Sequence, residues 1–343
     1  MGADFDWTIP TGFPRPVVPA ANPMSVAKVQ LGRYLFYDQR LSMNGKESCA
    51  ACHRQELAFT DGRPHAEGTT GQPHPRSSMS LVNVAYTPRL TWADPDATSL
   101  EDQALVPMLG IDPVELGLKG HEQEFLAALR GDPLYQGLFR QAFPDAGDAF
   151  TLLNVTKAIA AFERSIVSMR SPYDRYRWGG DPAAISAAAK RGELLFFSSE
   201  RAGCFQCHSG WNFSGSVRFE GGENNSRGEF FNTGVADYTA PNRGLFEHTH
   251  RPADIGKFRA PTLRNIALTA PYMHDGSLKT LDAVIDHYSA GGKLSHPNKS
   301  PILRAFVMTD QDKKDLIEFL QSLTDTELLH DARWSDPWPE VCV

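Results

Sequence analysis

Two short stretches carry the chemistry of this chain: Cys49-Ala50-Ala51-Cys52-His53 and Cys204-Phe205-Gln206-Cys207-His208. Two thiols separated by two residues on a helical turn can reach the two vinyl groups of one porphyrin. The His that follows then lies under the iron as an axial ligand. A single C-x-x-C-H is also compatible with a redox dithiol or half a zinc site. Two copies in matching contexts, with no further Cys pair among the 5 cysteines, argue against both. The motifs therefore specify two covalently attached c-type haems, with His53 and His208 as proximal ligands. Cys342 is left over and reads as a passenger thiol near the end of the chain. Haem alone does not separate a carrier from a catalyst, because the occupant of the sixth coordination position decides that.

The segments that must position these motifs echo each other. Before the first stands KVQLGRYLFYDQRLSMNGKESCAACH, and before the second AAKRGELLFFSSERAGCFQCH. Each has a helix, a Gly, a pair of aromatics and then the attachment site, so two related haem-binding units are the simplest account. Apolar spacing predicts helices over 24–37, 100–109, 122–130, 151–169 and 183–197. Residues 1–23, rich in Pro and Gly, read as a wrapping arm. A polar loop runs from 59 to 80, and 171–182 reads as a joint between domains. Strand alternation is absent. The expected fold is mainly α, with two cytochrome c-like haem domains over 24–170 and 171–343, joined and covered by long loops.

The bulk composition excludes other classes. With 34 basic and 41 acidic residues the net charge is -7, against the basic face that nucleic acid or an anionic membrane surface requires. No apolar run approaches the roughly 18 residues of a membrane span. Covalent haem attachment is made outside the bacterial cytoplasm, so a periplasmic location is expected. Residues 1–20 show no apolar signal segment, and the chain reads as a mature form.

The longest distinctive segments are KFRAPTLRNIALTAPYMHDGSLKTLDAVIDHY, over 257–288, and SLEDQALVPMLGIDPVELG, over 99–117. With both haem motifs they make the chain resemble the bacterial dihaem cytochrome c peroxidases and their MauG-like relatives over nearly its whole length. The resemblance implies a peroxide-reactive N-terminal haem and a C-terminal haem that stores and relays an electron. It implies Tyr288 as distal ligand of the second iron, where ordinary peroxidases place a Met; Met308 lies too far along to fill that place. A phenolate oxygen is harder than a thioether and stabilises high oxidation states. Both haems could then be oxidised together to a bis-Fe(IV) state.

By the same resemblance Trp92 lies between the haems, Gln103 and Glu115 stand over the open face of the first, and Pro107 lines that pocket. Arg264 and His274 are expected near haem propionates or, for His274, in the core. A calcium ion is expected between the domains, near Ser77, Arg259 and Pro261, although Arg76-Ser77 replaces the usual Arg-Asn pair. The loop after Trp92 reads WADPDATS where the family usually has WDGRA, so the surface there can differ. His65 and His74 do not match the gating His of ordinary peroxidases, which implies no gated activation.

Three functions compete. The first is a MauG-like enzyme that uses hydrogen peroxide to oxidise a residue of a partner protein at a distance. The tail FLQSLTDTELLHDARWSDPWP resembles the MbnH branch, which implies Trp-to-kynurenine chemistry in an MbnP-like partner. The second is a peroxidase fed by a small redox protein, and the third a dihaem electron carrier. Tyr288 favours the first over the second; Glu115 and Gln103 speak against the third. Trp178, Trp211, Trp334 and Trp338 are candidate exits for the oxidising equivalent.

Overall fold

The computed structural model describes residues 5–222, 230–236, 238, 242–292 and 296–338; Cys342 lies outside them. The first half is built on α1 (Val26–Tyr37), α2 (Glu122–Gly131), α3 (Pro133–Ala142) and α4 (Leu152–Ser165). Ser25, Asp132 and Thr151 cap α1, α3 and α4 with their side-chain oxygens. Leu31, Leu35, Tyr135, Phe139, Val155 and Ile159 close the core between them. The crossing of α1 and α4 is tight at Gly32, where a Cβ would sit 1.9 Å from the Ala158 carbonyl oxygen.

The second half repeats this device with α5 (Ala187–Phe197), α6 (Leu281–Ser289) and α7 (Asp310–Gln321). A Cβ at Gly192 of α5 would meet the Asp315 carbonyl oxygen at 2.0 Å. Phe162 on α4 and Phe319 on α7 flank the two glycines in equivalent fashion, their Cβ atoms 2.9 and 2.8 Å from the added carbon. The Gly and aromatic pair seen in both approach segments is therefore a helix-crossing signal. The strands β1 (Phe230–Asn232) and β2 (Lys257–Arg259) pair antiparallel, with Phe231 opposite Phe258. The architecture is mostly helical, as the sequence predicts.

Local differences have local causes. The helix expected over 151–169 stops at Ser165, because the chain turns to pair with Asn83. The Asn83 N–H donates to the Ile166 carbonyl at 2.9 Å, and the Ser168 N–H donates to Asn83 Oδ1 at 2.8 Å. The segment 100–109 divides at Ala104 into helices Leu100–Gln103 and Leu105–Leu109. The presumed joint contains a helix, Pro172–Arg177, held by a Ser171–Asp174 capping box.

The two ends of the chain cross over. Pro14 and Arg15 of the N-terminal arm accept hydrogen bonds from the Tyr86 hydroxyl (2.8 Å) and the Glu220 N–H (2.9 Å). Phe13 lies against Trp178 and Trp211 of the second half. The C-terminal tail returns to the first half, where buried Trp334 donates from Nε1 to Ser165 Oγ (3.2 Å) and Gln55 bonds the Leu328 and Asp331 carbonyls.

Candidate active site

His53 ends the short helix Cys49–Cys52, and its Nδ1 lies 2.9 Å from the Phe59 carbonyl oxygen. His208 repeats this with the Phe213 and Pro261 carbonyls at 3.1 and 3.0 Å. A carbonyl can only accept, so Nδ1 carries the proton and Nε2 keeps a free lone pair for a metal. Burial lowers both imidazole pKa values, which favours the neutral, ligating form. Positive φ at Ala58, Phe59 and Phe213 turns the acceptor segments back onto their imidazoles. Burial pushes the Cys52 and Cys204 thiols up to about 12 and Cys207 up to about 11. A redox dithiol needs the opposite shift.

One continuous cavity of about 1360 Å³ reaches Cys52, His53, Cys204, Cys207 and His208. Ordinary small-molecule pockets hold roughly 300–1,000 Å³. Into its wall projects His274, buried and stacked on Phe258 at 3.6 Å, with Nε2 lacking any hydrogen-bond partner. A buried orphan nitrogen on a cavity wall points to a polar group of the cavity's occupant. Thiols, neutral imidazoles, volume and orphan nitrogen all fit two covalently attached haems.

The other groups that line the cavity near the two motif imidazoles differ. On the first side are Gln103, at the end of helix Leu100–Gln103, and Glu115. Glu101 fixes that helix through buried Arg164 (2.9 Å) and Asn22 (2.7 Å). Pro107 and Met108 accept from the Leu116 and Leu118 N–H groups, both at 2.9 Å, which clamps the loop carrying Glu115. Gly68 is required there, since a Cβ would come within 2.1 Å of the Val114 carbonyl oxygen. Burial raises the Glu115 carboxyl to about 7. His74 Nε2 stands 4.0 Å from Glu115 Oε1, while its Nδ1 engages the Arg76 backbone. His65 is exposed, and its charge acts on His74 only from a distance.

On the second side is Tyr288 of α6, lining the cavity in the electrostatic reach of Cys204 and Cys207, with Met273 Sδ 4.0 Å from its hydroxyl. Burial pushes the phenol pKa up. Trp92 lines the same cavity and is pinned from both directions. Its Nε1 donates to the Ser77 carbonyl (2.8 Å), and its own carbonyl accepts from the Arg259 N–H (2.8 Å).

Two further expected positions have local partners. Four of the five Arg264 N–H donors are spent inside the protein, on Asp174 (2.8 and 2.9 Å) and the Trp211 carbonyl. Arg264 thus sits at the cavity wall in an internal ion pair with Asp174. Ser77, Arg259 and Pro261, where calcium is expected, can offer a hydroxyl and backbone carbonyls as oxygen ligands. Ser77 Oγ donates to the Met273 carbonyl, the Pro261 carbonyl faces His208, and among the described residues no cluster of three His, Cys, Asp or Glu could hold a metal ion. The WADPDATS loop brings Asp94 and Asp96 to the cavity rim, with Asp94 3.7 Å from His248.

Sequence reasoning missed Glu163. It is 5% exposed, its Oε2 has no hydrogen-bond partner, and burial raises its carboxyl to about 8. It lines a smaller cavity of about 70 Å³ together with Cys49, Gln103 and Glu115. A carboxylate on the apolar face of a strongly amphipathic helix was the available signal.

The family profile of the di-haem cytochrome c peroxidases matches residues 26–182. Cytochrome-c peroxidase IdrP1 of Denitromonas iodatirespirans is 38% identical, over 92% of this chain and 86% of its own. The methylamine utilization protein MauG of Methylorubrum extorquens is 37% identical, over 89% of this chain and 80% of its own. The crystal structure of a MauG-like protein associated with microbial copper homeostasis superposes with a TM-score of 0.93 at 43% identity, covering 98% of this chain and 100% of that one. The paired haem-attachment units, the single cavity and these relatives together show that the chain belongs to the dihaem cytochrome c peroxidase and MauG family and is a dihaem peroxidase oxidoreductase.

Proposed function

We propose that this chain is a MauG-like peroxidase that uses hydrogen peroxide to oxidise a residue of a partner protein at a distance. The observation that carries the reading is the inequality of the two sites. Glu115 and Gln103 share a cavity lining with His53, Tyr288 lies within electrostatic reach of Cys204 and Cys207, and we assign each to the distal side of its haem. When bound, the haems supply O–O cleavage at the first site and storage of an oxidising equivalent at the second.

The protein's own part follows from the side chains. A carboxyl near pKa 7 holds and releases protons near neutrality. Glu115 takes a proton from one peroxide oxygen and returns it to the other. The Gln103 amide orients the peroxide, and Pro107 narrows the pocket around it. Tyr288 offers the second site a hard oxygen, which favours high oxidation states over reduction. Trp92, in the wall of the cavity that reaches both motifs, is assigned to conduct between them.

We read the partner as MbnP-like and the product as kynurenine formed from a Trp of that partner. The tail motif and the association of the similar MauG-like crystal structure with microbial copper homeostasis support this. The periplasm is the compartment we assign. Among the described residues no helix is long and apolar enough to cross a membrane. A second reading, a peroxidase fed by a small redox protein, is favoured by the relatives named cytochrome-c peroxidase.

Stoichiometric peroxide added to the diferric protein separates the readings. Oxidation of both haems without added reductant supports the proposal. A requirement for prior reduction of one haem would replace it with the second reading, and inertness in every state would leave an electron carrier.

A further inference from the structure

We propose that the oxidising equivalent leaves the second haem site through Tyr173 to Trp178, and that Trp178 is the surface residue at which the partner is oxidised. This rests on the long-range reading above and names its exit.

A run of side chains leads outward from His208. Its Nδ1–H donates to the Phe213 carbonyl at 3.1 Å. The Phe213 ring lies 5.5 Å, centroid to centroid, from Tyr173, and Tyr173 lies 5.9 Å from Trp178. Trp178 is 42% exposed, at the end of helix Pro172–Arg177. The run therefore begins on a proximal ligand and ends in solvent, with Tyr173 buried in between.

Tyr173 has what a buried tyrosine needs to be oxidised. Its hydroxyl donates to Glu193 Oε1 at 2.7 Å, so the proton has a place to go when the electron leaves. Loss of the electron alone would leave a buried cation, which is costly in low dielectric. Burial pushes the phenol pKa up, so prior deprotonation is unfavourable and the two losses must be coupled. Tyr173 gives one electron to the oxidised haem site as its proton moves to Glu193. Trp178 then gives one electron to the tyrosyl radical, and the proton returns from Glu193 to the Tyr173 oxygen. The Trp178 radical cation takes one electron from the partner. Peroxide is the terminal oxidant, and the net event is one electron moved inward.

Three other tryptophans are worse placed. Trp211 is nearer His208 in sequence, but its Nε1 is buried without a proton acceptor and the Arg264 guanidinium lies 5.7 Å from its ring. Arginines also lie over Trp334 (Arg333, 4.5 Å) and Trp338 (Arg40, 5.3 Å). A cation over the ring raises the cost of a radical cation. Among the described residues, none lies over Trp178.

The test uses the holoprotein without partner. Repeated additions of hydrogen peroxide, followed by peptide mapping by mass spectrometry, should find oxygen added at Trp178. In Trp178→Phe and Tyr173→Phe the oxidised two-haem state should form at the unchanged rate, decay at least several-fold more slowly, and leave residue 178 unmodified. Decay at the wild-type rate in both variants, or oxidation concentrated at another residue while Trp178 stays intact, would overturn the exit. Failure of the oxidised state to form in the wild-type protein overturns the long-range reading itself, and the exit with it. The haem absorption spectrum of each variant checks that it is folded and loaded.

Discussion

The two halves of the molecule solve the same structural problem with the same parts and then part company. Each crosses two helices at a glycine whose added Cβ would strike backbone, 1.9 Å away at Gly32 and 2.0 Å at Gly192. Each locks its haem-motif His through Nδ1 to a carbonyl a few residues on. They differ in the other groups that line the cavity. The first half presents a carboxyl poised near neutrality, with His74 4.0 Å away. The second presents a phenol beside a thioether. On the proposed reading, attachment is a property of the repeated scaffold, while reactivity belongs to loops and a helix grafted separately onto each copy.

The sharpest way to break this contrast is at Glu115. Glu115→Gln should slow the reaction with hydrogen peroxide by roughly 10²–10⁴-fold, the usual worth of a positioned acid–base group, with haem content unchanged. Stopped-flow absorbance reads the rate. In the wild type that rate should climb as pH rises through about 7, because the carboxylate form accepts the first proton. The variant should lose this dependence. A variant as fast as wild type would mean that the first site draws its proton transfer from elsewhere.

The shared scaffold predicts equal losses next. Gly32→Ala and Gly192→Ala should each cost about 1–3 kcal/mol by overpacking, with alanine's better helix propensity offsetting at most about 1 kcal/mol. Denaturant melts of both variants measure it. A large loss at one glycine and none at the other would show that the two crossings are not equivalent. The smallest effect is at the caps. Thr151→Ala and Thr309→Ala should each lose about 1 kcal/mol. Thr309 should lose more, because it alone shares a reciprocal box, with Asp312.

Much of this was legible in the sequence, for reasons that differ by residue. The C-x-x-C-H motifs state their chemistry locally, and the echoed Gly and aromatic pairs carry the helix crossings. Helix α7 escaped a reading by apolar spacing because DQDKKDLIEFLQ is mostly polar, with Leu316, Phe319 and Leu320 making its buried stripe. Helix 151–169 was overrun because its apolar spacing continues past Ser165, where tertiary bonds to Asn83 override propensity. Arg264 could not be assigned from its own segment, since Asp174 lies 90 residues away in the chain. His74 likewise acquires its meaning only when the loop folds onto Glu115.

The central claim is that one haem site is open and the other closed. Electron paramagnetic resonance of the diferric protein, before and after cyanide, tests it most directly. One high-spin and one low-spin signal are expected, with cyanide converting the high-spin signal alone. Two low-spin signals that ignore cyanide, or two sites that both bind it, would contradict the account.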